Sequence, residues 1–359
     1  MDENPGFKTD LIEKIQSGVI DWQHFVTICS DHLVLPTIYL KFKTHDLLDH
    51  IPQELSHHLE EIYSLNADRN KQILEQLQVI TKQLNAENIE PIFLKGTANL
   101  LDGVYVDRGD RILGDIDILV PEEVFFQSAE LLKKSGYNFE NEVNSYSDIG
   151  SLKHYPRLIH PDFVAPVEVH RIPTDEKYTE WFNTDLIKQS RKEVSSFHGC
   201  AVPSDQNKII HNFIHSQLSD EGFLFGFVSL RQIYDLLRLS KRFPWKDSLP
   251  QIKTKHKAIA YYAFADFLLG MNKSVFSDRN QAFQVLRWKH RLNQNSAIFY
   301  RVNRSTIFLS QRIFQGYWGQ LVQALYDKKK RQYLSRRISD PKWYGDHVRM
   351  YTHFFKKNN

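Results

Sequence analysis

Two acidic residues, Asp115 and Asp117, stand inside the run Arg111-Ile112-Leu113-Gly114-Asp115-Ile116-Asp117-Ile118-Leu119-Val120, which otherwise reads as a buried β-strand. Burying a charge is costly unless something balances it. Strand side chains alternate between faces, so the two-residue spacing predicts both carboxylates on one side, with Ile116 and Ile118 on the other. Two carboxylates held a few ångströms apart repel and raise each other's pKa unless a cation lies between them. All-oxygen ligation of this kind suits a divalent ion, magnesium or manganese. A third acid is offered by another strand-like run, Val164-Ala165-Pro166-Val167-Glu168-Val169-His170, in which Glu168 and His170 share a face. The expected metal ligands are Asp115, Asp117 and Glu168, with His170 placed to orient Glu168 or an acceptor.

Upstream, Glu90-Pro91-Ile92-Phe93-Leu94 reads as a short strand that ends at Lys95-Gly96-Thr97, and Ala98-Asn99-Leu100-Leu101 as the start of a helix. A strand, glycine turn and helix start present backbone N–H groups, a hydroxyl and an ammonium at one point, which suits phosphate oxygens. Thr97 either meets a phosphate or caps the helix. Arg108 and Arg111 either reach a phosphate or pair with Asp107 and Asp110.

In this order the motifs resemble nucleotidyltransferases of the DNA polymerase β superfamily, and within it the branch of uncharacterised nucleotidyltransferases. The resemblance rests on Leu94-Lys95-Gly96, the Asp-Ile-Asp run, His154-Tyr155-Pro156-Arg157-Leu158 and Val167-Glu168-Val169-His170, and it spans roughly residues 90–172. The chain departs from the superfamily in carrying Thr97 after Gly96, where Ser or Gly is usual. Its loop between Gly96 and Asp115 is also longer than in compact members, which fits the branch. The resemblance implies transfer of a nucleoside monophosphate from an NTP, ATP by default, to a hydroxyl or phosphate of a small-molecule, peptide or protein acceptor, with release of pyrophosphate. On that reading Asp115 and Asp117 hold two metal ions, and Glu168 binds the second near the incoming hydroxyl. Lys95 and Arg111 would meet the β- and γ-phosphates, and Gly96 would let the backbone approach them. Asp235, in Leu230-Arg231-Gln232-Ile233-Tyr234-Asp235, matches a helix of the family; it lines the nucleotide pocket, or it pins helices through Arg231 or Arg238. The alternatives are transfer to RNA and a catalytically silent nucleotide-binding scaffold. The three acids speak against the scaffold.

These residues need a frame. The expected fold is α+β, a small mixed sheet flanked by helices, divided into an N-terminal helical region (1–88), a catalytic core (89–173) and a mainly helical C-terminal region (174–359). Helices are predicted at 10–17, 21–30, 33–42 and 53–87 from apolar spacing, including Leu55, Leu59, Leu65, Ile73 and Leu77. Later helices are predicted near 121–132, 176–189, 205–218, 225–240 and 255–269. Strands are predicted at 137–142 and in a hairpin over 153–170. His211 and His215 share one helix face, but Asn212 stands where a zinc-protease motif needs Glu, so they read as core or acceptor-side histidines.

With 359 residues, 42% of them hydrophobic, the chain can bury a large core and is not a disordered one. Cys29 and Cys200 lack CxxC spacing, which excludes a zinc-ribbon or disulfide framework and suggests a reducing, cytoplasmic setting. The longest apolar stretch, 258–271, contains Asp266 and reads as a buried helix, so no membrane partner is expected. The basic clusters Lys328-Lys329-Lys330-Arg331, Arg336-Arg337 and Lys356-Lys357 belong to a chain of formal charge +3; a solvated helix end is favoured over a nucleic-acid site.

Overall fold

The structure, a computed structural model, describes residues 5–141, 152–195, 197–269, 280–311 and 318–342, with 344, 345, 348, 349 and 352 beyond them. Four helices come first: α1 (Pro5–Gln16), α2 (Trp22–Asp31), α3 (Leu35–Thr44) and α4 (Gln53–Asn85). Asp21 starts α2 by accepting a hydrogen bond from the His24 N–H, as an N-cap aspartate does. Helix α4 joins two cores: Leu55 and Leu59 pack with α1 to α3, whereas Ile73, Leu77, Ile80 and Leu84 pack on the sheet. Leu65, expected on the apolar face, is 60% exposed, and Asn66, Asn70 and Gln76 are buried in its stead. Their side chains repay that burial with bonds to distant backbone. Asn66 and Asn70 both donate to the Arg111 carbonyl (3.1 and 2.8 Å), and Gln76 donates to that of Ala165 (2.8 Å).

The sheet region follows as β1 (Ile92–Phe93), α5 (Lys95–Leu101), β2 (Ile116–Leu119), α6 (Phe125–Lys134), β3 (Asn138–Phe139), β4 (Leu158–Ile159) and β5 (Val167–His170). Next come α7 (Thr184–Gln189), β6 (Lys192–Glu193), β7 (Ala201–Val202) and α8 (Asp205–Phe213), which continues as a π-helical turn, Ile214–Ser219. The rest is helical: α9 (Gly222–Phe225), α10 (Leu230–Ser240), α11 (Lys255–Leu269), α12 (Gln281–Asn295), α13 (Ala297–Gln311), α14 (Gly319–Tyr326) and α15 (Lys328–Ile338). No helix of the described residues is long and apolar enough to cross a membrane.

The fold is α+β, with one mixed sheet in the order β3-β4-β5-β2-β1-β7-β6 and helices around it. Strands β2 and β5 run parallel at its centre, and β1 pairs antiparallel with β2 and parallel with β7. Alternation splits the side chains between two layers. Phe93, Ile116, Ile118, Val167 and Val169 face α4 and α6, while Ile92, Leu94, Leu119 and Ala201 face the core built by α8, α10 and α11. Asp117 therefore points to the α8/α10 side.

Several elements differ from the sequence reading. The sheet runs on past residue 173 to Val202, because β6 and β7 are two-residue strands too short to show a period of two. The helix expected over 176–189 is a 3₁₀ turn, Glu176–Tyr178, followed by α7, which Asn183 caps from its side chain. The helix expected from 225 begins at Leu230, because Gly226 in the left-handed region (φ +72°) ends α9. Glu142, Gly270, Met271, Lys356 and Lys357, which entered those readings, lie outside the described residues.

Candidate active site

The register of β2 on β5 places Asp117 beside Glu168 and Leu119 beside His170. Asp117 and His170 are almost fully buried. The His170 Nε2–H donates to Asp117 Oδ1 (2.8 Å) and lies 3.5 Å from Glu168 Oε2. One ligand-grade atom each from Asp117, Glu168 and His170 falls within 4.8 Å of the other two. Lys95 Nζ donates to the same Asp117 oxygen at 2.6 Å. Lys95 has φ +51°, a left-handed backbone that a β-carbon disfavours by about 1 kcal/mol. The strand-to-helix turn holds that strain at the point where the ammonium meets Asp117.

Electrostatics within this group are uneven. Burial pushes the Asp117 carboxyl up, but Lys95 and His170 outweigh it and hold it well below the usual range. Glu168 is likewise pulled against burial to about 2, chiefly by its bond with His170 and the field of His154. Asp115, one residue ahead of β2, goes the other way: burial and the charge of Asp117 raise it. Its carboxylate accepts from Arg157 Nη2 (2.8 Å), while Arg157 Nε donates to Glu168 Oε1 (3.2 Å). One guanidinium thus spans Asp115 and Glu168.

A second charged cluster uses the remaining basic candidate. Arg111 makes a bidentate pair with Asp235, Nε to Oδ1 and Nη2 to Oδ2, both at 2.7 Å, and the Tyr105 hydroxyl donates to Asp235 as well. The expected partners of Arg111, Asp107 and Asp110, are taken by Tyr63 and Tyr234. The expected partners of Asp235, Arg231 and Arg238, are passed over for Arg111 of the loop before β2. This pair ties the long loop before β2 to α10, and Asn66 and Asn70 of α4 hold the loop from the other side. Gly96 is explained here: a Cβ on it would overlap the Arg111 guanidinium and Leu113. Thr97 is buried, gives no side-chain cap to α5, and lies 3.3 Å from the Asp115 carbonyl, to which its hydroxyl donates.

Between this face of the sheet and helices α8 and α10 lies a cavity of ≈260 Å³, whose wall includes Lys95, Gly96, Arg111, Asp115, Asp117 and Asp235. Further residues of the wall carry unspent polarity. Arg231 donates to the Ile112 carbonyl, yet its Nε is buried without a partner and no carboxylate among the described residues pairs with it. Burial, then repulsion from Arg111, lowers its pKa. Asn99 Oδ1 is also buried without a partner. Orphaned polar atoms around a void are what a polar ligand would satisfy. Lys208, also on the wall, is brought by burial to about 8 despite its pair with Asp102. His211 and His215 complete the α8 side. Sequence reasoning missed Arg231 and Asn99 as wall residues, although the four-residue steps from Asp235 and Lys95 put each on the same helix face as a candidate already chosen. Arg157 falls within the His154–Leu158 run of the resemblance, but is assigned no role there.

The class of the protein is nucleotidyltransferase. The family model described as uncharacterised nucleotidyltransferase matches residues 18–277, and the chain belongs to that family, whose substrates include a nucleotide. No curated protein matches the chain. Among solved structures, it is similar to the antibiotic-resistance factor ANT(2'')-Ia, with 14% identity, 58% of this chain and 100% of that one covered, and a TM-score of 0.36. It is also similar to JHP933 from Helicobacter pylori, with 12% identity, 68% and 98% covered, and a TM-score of 0.32. Likenesses at these scores carry no argument.

Proposed function

We propose that the cavity is the site at which a nucleoside monophosphate passes from an NTP, ATP by default, to a hydroxyl or phosphate of a small-molecule, peptide or protein acceptor. The observation that carries this reading is that Asp117 stands beside Glu168 across β2 and β5, with Asp115 joined to Glu168 through Arg157, next to a cavity that Asp115 and Asp117 line and whose wall also holds unpaired polar groups.

The donor set fits a hard divalent cation. Its atoms are carboxylate oxygens, Asp115 is raised by burial and then by its acidic neighbour, and a guanidinium already spans Asp115 and Glu168. Asp115, Asp117 and Glu168 would hold the magnesium or manganese, which neutralises triphosphate charge and polarises the α-phosphate when bound. His170 would keep Asp117 and Glu168 aimed through its Nε2–H. Lys95 lies at the carboxylates and Arg231 across the cavity, so these two cations are assigned to the phosphates. Arg111 is assigned a support role, because Asp235 engages its Nε and Nη2 and the Ile112 carbonyl its Nη1. Asn99 offers a carbonyl oxygen to a donor group on the nucleotide. The catalytic unit is proposed to extend beyond 89–173 to include α8, its π-helical turn and α10, since they supply Lys208, His211, His215, Arg231, Gln232 and Asp235 to the wall.

Equilibrium dialysis with radiolabelled ATP, with and without magnesium, tests the donor half. Mass spectrometry of candidate acceptors for one added nucleotide tests the other half, RNA included. Asp115→Asn and Asp117→Asn chains that transferred label at the parent rate would end the assignment.

A further inference from the structure

We propose that His215 is the base that takes the acceptor's proton, positioned by Asp220 and Gln232; the inference rests on the reading of the cavity given above. Helix α8 widens at Ile214 into the π-helical turn, a geometry often retained at functional sites. In that turn His215 reaches the cavity wall. Its Nδ1 lies 3.0 Å from Asp220 Oδ2 and 3.2 Å from the side-chain amide of Gln232 on α10. A carboxylate accepts and cannot donate, so the proton sits on Nδ1 and the lone pair on Nε2. Gln232 Oε1 is buried without a partner, and turning the amide over sets it to accept from the same Nδ1–H. Nε2 has no hydrogen-bond partner among the described residues. A histidine on the wall of a substrate cavity, oriented through one nitrogen by a third group and with the other nitrogen bare, is the arrangement that activates hydroxyl nucleophiles.

The other bases on hand are poorer. Glu168 is engaged by Arg157 and His170 and is committed to the cation in the reading given above, which leaves it poorly placed to take the proton. His211, on the same wall, is kept well below the usual histidine range by burial and by the charges of Lys95 and His215. The groups that face His215 are Asp220, Gln232 and His211. In the step, the acceptor O–H bond breaks and its proton goes to Nε2. The freed oxygen bonds to the α-phosphorus, the bond from that phosphorus to the β-phosphate oxygen breaks, and pyrophosphate leaves. The imidazolium then returns its proton to water, and no electrons are exchanged.

Two measurements on the full chain test this. With ¹⁵N-labelled histidine, long-range ¹H–¹⁵N spectra are expected to show His215 as the Nδ1–H tautomer, and Asp220→Asn is expected to abolish that preference; an Nε2–H tautomer in the parent overturns the proposal. With ATP, magnesium and water as the acceptor, His215→Asn is expected to slow AMP formation on the order of 10²–10³-fold while ATP affinity stays within about twofold. Imidazole added to His215→Gly is expected to restore part of the rate. An unchanged rate, or ATP affinity lost together with the rate, overturns the proposal. ATP binding that ignores magnesium in the parent and in Asp115→Asn would instead defeat the reading of the cavity, and the tautomer would still judge His215 by itself.

Discussion

Asp117 and Asp235 are both buried aspartates that line the cavity and pair with a cation, yet their surroundings differ in kind. Asp235 is saturated: two parallel bonds from Arg111 and one from Tyr105 occupy its oxygens, and the pair locks the loop before β2 to α10. Asp117 belongs to a crowd of acids that repel one another and share their partners: Lys95 meets Asp117, His170 lies between Asp117 and Glu168, and Arg157 spans Asp115 and Glu168. The first arrangement has nothing left to bind. The second has more negative charge than its cations neutralise well, which is the state a divalent ion improves. Burial and pairing alone therefore do not mark a site; incomplete, exchangeable pairing does.

This contrast can be broken by mutation. The largest effect is expected from Asp117→Asn, which removes the central carboxylate but keeps its shape: magnesium-dependent turnover of ATP should fall on the order of 10³-fold with the circular dichroism spectrum intact. Next comes Asp235→Ala. It strands the Arg111 guanidinium in the interior and should cost about 3–5 kcal/mol in urea unfolding, whereas Arg111→Met with Asp235→Leu should recover most of that loss. A double variant no more stable than Asp235→Ala would show that the pair is not the self-contained strut described here.

A smaller effect is expected from Arg157→Met, which removes a competing cation from Asp115 and Glu168. Manganese affinity, read by electron paramagnetic resonance, should rise roughly tenfold. A fall would mean that Arg157 helps to build the cation site.

The smallest effect concerns a third buried acid, Asp266 of α11, whose oxygens have no hydrogen-bond partner among the described residues. Burial raises its carboxyl to about 6, against a weak opposing field from Lys246. The folded chain then holds this proton more tightly than the unfolded chain, so the contribution is most favourable below about pH 4 and is lost as pH rises through about 6. Asp266→Asn should raise the melting temperature at pH 8 and leave it unchanged at pH 4. Equal shifts at both values would remove Asp266 from this comparison of acids.

Periodicity made much of this protein legible. The alternation in Ile116 to Leu119 and in Val167 to His170 was enough to set Asp117, Glu168 and His170 on one face of two strands, because a strand's side-chain period is local geometry. The apolar spacing located α4 and, to within a residue at each end, α2. What the spacing could not reveal was pairing across the chain. Arg111 is drawn to Asp235, far along the sequence, and not to the adjacent Asp107 or Asp110. The spacing also did not reveal that Gly96 makes room for that guanidinium, nor that β6 and β7 extend the sheet. It placed Asp115 in the strand, although the structure sets it one residue ahead of β2, in the grip of Arg157. Those outcomes depend on which surfaces meet once α4 and α10 close over the loop before β2. A charge chooses its partner by distance and desolvation in the assembled interior, and neither quantity is written in residue order.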